Sequence, residues 1–163
     1  MAVRNLGEIG LNAQAIIKAL LANQNLVKLL FYADKDPLSQ PDLTTTQIRE
    51  EVYQKLLKIV PRIGNIDTAQ SIVAMRIVNG FENGENQEIK DIKISFEVFT
   101  PLTSWVIKDT NLRPFAIMGE IQKSLDGLEI KGLGTLHGGG FSLNFLTDNI
   151  SDYMQIFTLQ TYD

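Results

Sequence analysis

The sequence predicts an α+β fold, in which helices pack on one face of a mainly antiparallel sheet and the elements follow in the order α-α-α-β-β-α-β-β-β. Three observations predict this class. Apolar residues recur at helical spacing in the first 60 residues and again from 112 to 125. Six of the ten residues from 70 to 79 are apolar, and residues 92–98 alternate between apolar and polar, as strands do.

The length of the chain fits one domain. Its 163 residues lie within the usual range of about 100–200, and 44% of them are hydrophobic, which allows a core of ordinary size. We therefore expect a single domain over 1–163, with helices and a loop over 1–46 and the core over 47–163.

Two helices are predicted at the start of the chain. Apolar residues at helical spacing predict an amphipathic helix over 11–22. A second apolar segment predicts a short helix over 26–32, with Asn25 as its N-cap. Residues 33–46 contain two prolines and no periodicity, which indicates a surface loop.

A third helix is predicted after this loop. Thr44 and Gln47 form a capping-box pattern, in which each side chain bonds the other residue's backbone N–H. Apolar residues follow at helical spacing as far as Ile59. Pro61 cannot continue a helix, so we expect the helix to end there.

The next segment predicts an antiparallel hairpin. Residues 70–79 suit a buried strand and residues 92–98 a half-buried one. The loop between them, over 80–88, is acidic. Its glutamates are Glu82, Glu85 and Glu88.

The fourth predicted helix follows this hairpin. Asp109 or Thr110 is suited to cap its start, because short polar side chains accept hydrogen bonds from the first helical N–H groups. Its apolar stripe runs to Leu125, and Asp126-Gly127 suits a helix end.

Three short strands are predicted to follow, near 130–137, 140–147 and 153–162. The glycines Gly138 to Gly140 lie between the first two strands, so we interpret them as a hairpin turn or a bulge, since glycine adopts positive φ angles without a Cβ clash. Such a segment can also be an assembly surface, because small residues let another backbone come close.

The glycine-rich stretch does not complete a nucleotide-binding motif. The dinucleotide pattern has His137 in the place of its last glycine, and the P-loop pattern has Gly140-Phe141 where Lys and Ser or Thr are needed. His137 is the only histidine and there is no cysteine, so a metal site built on these residue types is excluded. Asp34-Lys35-Asp36 begins like a calcium loop, but Leu38 and Ser39 break the pattern.

We therefore predict no catalytic, metal or cofactor site and no enzymatic activity. The net charge of −4 argues against tight nucleic-acid binding, which needs clustered Lys and Arg. No apolar run approaches the ~20 residues that span a bilayer, and no signal peptide is recognisable, so we expect a soluble protein without a membrane partner.

Three aromatic residues leave alternatives open. Trp105 is better suited to cover the core than to form a stacking platform. Tyr153 and Tyr162 could lie at the edge of the core or contact another subunit.

From about residue 45 to its end, the chain resembles the tail-terminator family of tailed bacteriophages. The resemblance is carried by a helix (IREEVYQKLLKIV), a hairpin (SIVAMRIVNG and IKISFEVFT), a second helix (NLRPFAIMGEIQKSLDG), a glycine-rich strand pair (IKGLGTLHGGGFSLNF) and a last strand (YMQIFTLQTY). The N-terminal segment ALLANQNLVKLLFYADKDPLS is more elaborate than in simple members, and suits a related neck or head–tail joining protein as well.

The resemblance implies a structural virion protein, assembled in the host cytoplasm and located in the tail or neck. Members form rings, typically of six subunits, at the head-proximal end of the tail tube, where they end tube growth and join the tail to the head connector. The implied partners are further copies of the chain, the tail tube protein and a connector or neck protein. DNA would pass through the bore without specific binding. The family has no invariant catalytic residues, so no residue role is transferred.

Two surfaces are candidate contacts in such a ring. One is the hairpin over 72–98 and the other is the glycine-rich segment with Gly138, Gly139 and Gly140. The loop glutamates Glu82, Glu85 and Glu88 would line the bore and repel DNA phosphates.

Other functions stay open at this point. The chain could be a different virion part, such as a tube or head-completion subunit. It could bind a small ligand in an apolar pocket between helices and sheet. An enzyme would have to use His137 or scattered carboxylates.

Overall fold

The α+β class predicted from the sequence is confirmed in a computed structural model, which describes residues 6–59, 69–82 and 89–161. The third helix begins with α geometry and continues as a π-helix. The helices are α1 (Leu6–Leu21), α2 (Gln24–Phe31), α3 (Thr45–Gln47, continued over Ile48–Leu56) and α4 (Arg113–Leu125). The strands are β1 (Leu57–Ile59), β2 (Ile72–Glu82), β3 (Ile89–Pro101), β4 (Glu129–Ile130), β5 (Gly134–Leu146) and β6 (Ile150–Thr161).

The six strands form one sheet in the order β1-β2-β3-β6-β5-β4. β1 is parallel to β2, and all the other neighbours are antiparallel. α4 packs against β3 and β5, while α1 and α2 pack against α4. The face of the sheet toward α4 is lined by fully buried residues such as Phe96 and Phe157, whose rings meet edge to face at 5.6 Å.

The start of α2 differs from the prediction. Its N-cap is Asn23 and not Asn25, because the Leu26 N–H donates to the Asn23 side chain (3.1 Å). The Asn23 amide also donates to Glu120 Oε2 (3.0 Å) and Ser124 Oγ (2.9 Å) of α4. Asn23 therefore caps one helix and binds a second, and both contacts depend on the tertiary fold.

The third helix begins as predicted and ends early. The capping box of Thr44 and Gln47 is confirmed, with both reciprocal hydrogen bonds present. The prediction that the helix reaches Ile59 is wrong, because Leu57–Ile59 forms β1 and pairs with Val73–Met75. The backbone hydrogen bonds of an available sheet edge replace the last helical turn.

The predicted hairpin is confirmed, and its strands are longer than expected. β2 and β3 are antiparallel from Ile72↔Phe99 to Glu82↔Ile89. Glu82 therefore belongs to the end of a strand and not to the loop predicted over 80–88. Glu85 and Glu88 lie outside the described residues.

The start of α4 also differs from the prediction. Asp109 and Thr110 have positive φ angles of 62° and 59° in a turn before the helix, and neither caps it. The N-cap position is Leu112, without a side-chain cap. The Arg113 N–H instead donates to the Trp105 carbonyl (2.8 Å), so a loop backbone takes the place of a capping side chain. The predicted end is confirmed, since Gly127 follows the helix with a φ of 79°.

Arg113 joins the helices through its buried guanidinium. Its side chain is 1% exposed and donates to four backbone carbonyls, those of Leu29, Tyr32, Asp34 and Ser104. Burial lowers the pKa of this guanidinium, which nevertheless keeps its charge because arginine titrates far above neutral pH. The end of α2 and the start of α4 are thereby held together around one cation.

The glycine-rich segment is not a hairpin turn. The two strands predicted near 130–137 and 140–147 are instead the short β4 and one long strand, β5, which contains all three glycines. The register between β5 and β6 shifts between Gly138 and Phe141, so the alternative prediction of a bulge is confirmed. The chain reverses later, where the Thr147 N–H donates to the Ile150 carbonyl (2.9 Å).

Candidate assembly surface

Within the residues that the structure describes, the two ends of the sheet are only partly covered. β1 covers β2 along Val73–Met75, and β4 covers the first two residues of β5. The β5 backbone is bonded to the preceding segment as far as Gly138, whose N–H donates to Asp126 Oδ1 (2.9 Å). Beyond these points, no strand in the described ranges pairs with the outer edge of β2 or of β5.

Exposed apolar side chains concentrate on these same edges. Of the nine large hydrophobic residues that are exposed in the described part of the chain, seven lie on β1, β2 or β5. Those on β1 and β2 are Ile59, Ile77 and Val78, and those on β5 are Phe141, Leu143, Phe145 and Leu146. An open strand edge that carries exposed apolar residues is a template for pairing with another strand.

The β5 edge is apolar on both faces of the sheet. Leu143 pairs with Tyr153 and Phe145 with Asp152, so the irregularity at Asn144 places Leu143 and Phe145 on opposite faces. Phe141 lies on the helix face, with its ring 5.5 Å from that of Phe115 in α4. Another strand or helix could therefore cover either side of β5.

An aromatic cluster supports the helix face of this edge. The Phe115 and Tyr153 rings are 5.1 Å apart, and the Trp105 ring lies 6.0 Å from that of Tyr153. All three side chains are half-buried, whereas Phe141, which also contacts Tyr153, is 59% exposed. The Trp105 ring thus contacts Tyr153, which packs against the edge of the core. Trp and Tyr are enriched among the residues that contribute most of the binding energy at protein interfaces.

The β5 edge carries few of the features that prevent association. Edge strands of soluble proteins are commonly protected by Lys, Pro or bulges. From Gly138 to Leu146 there is no charged residue and no proline. The two register shifts are therefore the features of this strand that oppose pairing with another chain.

The three glycines have different surroundings within this edge. A Cβ on Gly139 would lie 2.9 Å from the Ile156 carbonyl oxygen, so the close approach of β6 requires glycine there. A Cβ on Gly138 would meet the Phe157 ring at 3.5 Å, which is ordinary contact. A Cβ on Gly140 would meet nothing within 4 Å, so the fold of one chain does not require glycine at this position.

The face of the sheet opposite α4 holds a buried charged cluster. Glu97 on β3 is 5% exposed and forms an ion pair with Arg76 on β2. Asp152 on β6 is fully buried and accepts a hydrogen bond from the Asn144 amide (2.6 Å). Burial raises the pKa of Asp152 to about 6, and the charge of Glu97 adds to this shift, although Asn144 and Arg76 oppose it.

The predicted contact residues fall at both ends of the sheet. The glycines lie on β5 and Glu82 ends β2, so the structure does not bring these two groups together. Ile77 and Val78 lie within the hairpin over 72–98 that was predicted as a contact, but no apolar residue of either edge was singled out by number. The alternation in FSLNFL was an available signal, but alternation does not tell whether a strand has a neighbour.

The residues considered for catalysis or metal binding lie in different parts of the fold. His137 is exposed on β5, opposite Thr158. Asp36 pairs with Lys108 (3.0 Å), whose hydrogen bond lowers the pKa of Asp36. The described residues contain no group of three or more His, Cys, Asp or Glu arranged to hold a metal ion.

An apolar pocket does lie between α1 and the sheet. Its volume is about 10 Å³, with Ile16, Met75 and Ile94 among its lining residues. Ligand sites usually need roughly 300–1,000 Å³. This pocket is therefore too small to hold a ligand of ordinary size.

A family model described as YomW matches residues 23–161. The chain belongs to the YomW family. YomW is a phage-derived family, from the SPBc2 prophage of Bacillus. The match begins at the α2 cap Asn23 and extends to the last residue of β6, so it includes both edges of the sheet and excludes α1.

Two further findings accompany this match. No curated protein matches the chain. Among the described helices, none combines the length and the apolar character that crossing a bilayer requires.

Proposed function

We propose that this YomW protein is a structural virion protein that forms a ring at the head-proximal end of a phage tail. The ring ends tube growth and joins the tail to the head connector. The phage origin of the family supports a virion role, and the resemblance to tail terminators supports this position in the virion. The observation that carries the proposal is the pair of open, apolar edges on one sheet.

Two different edges at opposite ends of a sheet suit a head-to-tail contact. The β5 edge of one copy pairs with the β2 edge of the next, so that each copy uses each edge once. Contacts of this kind give a closed ring when the rotation between copies closes, and an open filament when it does not. In a closed ring the exposed parts of the β2 and β5 edges are both paired, which also removes the association hazard of the monomer.

A ring of this kind would contact the protein partners that the resemblance implies. Six copies, the number typical of tail terminators, would enclose a bore through which DNA passes. One rim would contact the tail tube protein and the other a connector or neck protein. With a net charge of −4, the chain would not hold the passing DNA.

The experiment that tests self-assembly is Leu143→Lys, measured by light scattering and negative-stain microscopy at high protein concentration. Leu143 is 51% exposed, so the substitution leaves the monomer folded but places a charge in the edge. We expect closed rings from the wild-type protein and monomers from the variant. The matched control is Leu38→Lys, which changes an equally apolar residue, 42% exposed, away from both edges. Rings that survive Leu143→Lys, or a wild-type protein that stays monomeric, would contradict the proposal.

A phage carrying Leu143→Lys distinguishes the position in the virion. If the ring ends tube growth, the variant phage produces tails of abnormal length without heads. A tube subunit would instead give no tubes, and a head-completion subunit would give normal tails beside unjoined heads. The last two outcomes would assign the protein to another virion part.

The loop glutamates supply a second, independent test. If Glu82, Glu85 and Glu88 line the bore, changing all three to glutamine makes DNA passage slower while rings still form. Unchanged DNA ejection from such a phage would remove the bore assignment and leave the ring in place.

A further inference from the structure

Asp152 is buried beside the tip of the β5–β6 hairpin with one oxygen unsatisfied. Its Oδ2 accepts from the Asn144 amide at 2.6 Å, while its Oδ1 has no hydrogen-bond partner. An unsatisfied buried oxygen is costly, and most of all when the carboxyl is ionised. The cost falls when the carboxyl takes up a proton, because no charge is then buried, or when the tip opens to water.

The charges around Asp152 do not balance. Among the described residues, the charged side chains that face it are Glu97 from β3 and Arg76 from β2. Arg76 is already paired with Glu97, and its Nε has no partner. Two buried carboxyl groups thus share one guanidinium, and Asp152 is the one that the guanidinium does not bond.

Asn144, which donates the hydrogen bond to Asp152, lies at the irregularity that determines the face on which Phe145 lies. Asn144 lies where the register passes from Leu143↔Tyr153 to Phe145↔Asp152, so it is the extra residue of a bulge. Its hydrogen bond to Asp152 joins the bulge to β6. The direction in which Phe145 points from the edge depends on that bulge.

We propose that Asp152 is a proton-controlled latch on the β5–β6 tip. Protonated, it stays buried and holds the Asn144 bulge, which keeps the tip closed. Ionised, it gains hydration when the tip opens, so the end of β5 separates from β6 and the direction in which Phe145 points is no longer fixed. The latch is a property of one chain, and only its use in ring closure rests on the proposed function.

Amide hydrogen exchange of residues 141–152 tests the latch, at pH 5 and pH 8, after correction for intrinsic exchange rates. Burial places the pKa of Asp152 at about 6 against an ordinary value of 3.8. Each unit of pKa difference corresponds to about a tenfold change in an equilibrium. We therefore expect protection at the tip to fall about tenfold from pH 5 to pH 8, while protection in α4 stays constant.

Two variants assign this change to Asp152. In Asp152→Asn the tip stays protected at both pH values, because no charge can form. Asp148→Asn removes an exposed carboxyl from the turn of the same hairpin, so it keeps the wild-type fall. Equal wild-type protection at both pH values would overturn the latch, and so would a fall that persists in Asp152→Asn.

A third variant keeps the test decisive if Asp152→Asn does not fold. Asn144→Ala removes the hydrogen bond that closes the tip, so we expect low protection at both pH values. A tip in Asn144→Ala that still closes at pH 5 would overturn the role of the bulge. Ring formation is measured in a separate experiment. If protection at the tip depends on pH but no rings form, the latch is supported and the ring is contradicted. If rings form but protection at the tip does not depend on pH, the ring is supported and the latch is contradicted.

Discussion

At the junction of α2 and α4, the buried Arg113 guanidinium donates to four backbone carbonyls, whereas at the β5–β6 tip the buried Asp152 carboxyl has one oxygen without a partner. The two regions also differ at the surface, since exposed apolar side chains gather at the tip. Buried polar groups are ordinarily satisfied, and departures from local rules concentrate at functional sites. The difference separates a region that serves the stability of one chain from a region suited to contacts with others.

The largest expected effect lies at the satisfied junction. Arg113→Ala should lower the free energy of unfolding by about 3–5 kcal/mol, because the substitution leaves buried carbonyls unbonded. Arg113→Lys should recover only part of this loss, since an ammonium lacks the planar fork of donors. Urea unfolding measures both values. Arg49→Ala, on an exposed helix surface, is the control with a change below about 0.5 kcal/mol. A comparably small loss in Arg113→Ala would show that the junction does not depend on this cation.

A smaller effect is expected from the glycines of the open edge. Gly139→Ala should cost about 1–3 kcal/mol, because its Cβ would meet the Ile156 carbonyl oxygen at 2.9 Å and the strands must shift. Gly140→Ala should change stability by less than about 0.5 kcal/mol, since its Cβ has open space. Thermal unfolding of the two variants measures this difference. Equal stabilities would mean that β6 moves away from Gly139 at no cost.

Asp152→Asn should stabilise the protein at pH 8, by about 1–2 kcal/mol. Burial raises the folded-state pKa to about 6, above the ordinary 3.8, so the stability from this group is present below pH 3.8 and is lost as pH rises toward 6. The wild-type protein should therefore become less stable between pH 4 and pH 6, and the variant should lack this loss. Urea midpoints measured across this range give the comparison. If the variant were less stable than wild type at pH 8, the ionised Asp152 carboxyl would be stabilising the fold, which would contradict this prediction.

The smallest expected effect concerns the cap of α2. Asn23→Ala should cost about 1 kcal/mol, because the cap and the bond to α4 are both lost. Asn25→Ala should change little, as its side chain is exposed in the first helical turn. Equal urea midpoints for the two variants would show that Asn23 stabilises the start of α2 no more than Asn25 does.

Several features of the fold could be predicted from local patterns alone. The β2–β3 hairpin was predicted from the alternation in 92–98, the start of α3 from the capping box of Thr44 and Gln47, and the end of α4 from Gly127. Each of these signals lies within a few residues of the structure that it specifies. Neighbours in the sequence are enough to satisfy the groups concerned.

The errors arose where a distant segment satisfies a group instead. Asn23 caps α2 while its amide bonds α4, and the Trp105 carbonyl receives the first N–H of α4 in place of a cap. Leu57–Ile59 left the predicted helix because an edge of β2 was available. Where a local sequence pattern fits two structures, the contacts made by distant segments determine which of the two forms.

The candidate site shows the same division. By itself, the sequence determined the α+β class, the apolar alternation of FSLNFL, the presence of three adjacent glycines and the lack of charge between Gly138 and Leu146. Only the tertiary structure decided that these glycines lie within a strand, that no described strand pairs with its outer edge beyond Gly138, and that Asp152 is buried beside its tip. The physical reason is that alternation and glycine content describe one segment, whereas an edge or an unsatisfied carboxyl is defined by the neighbours that a segment has or lacks.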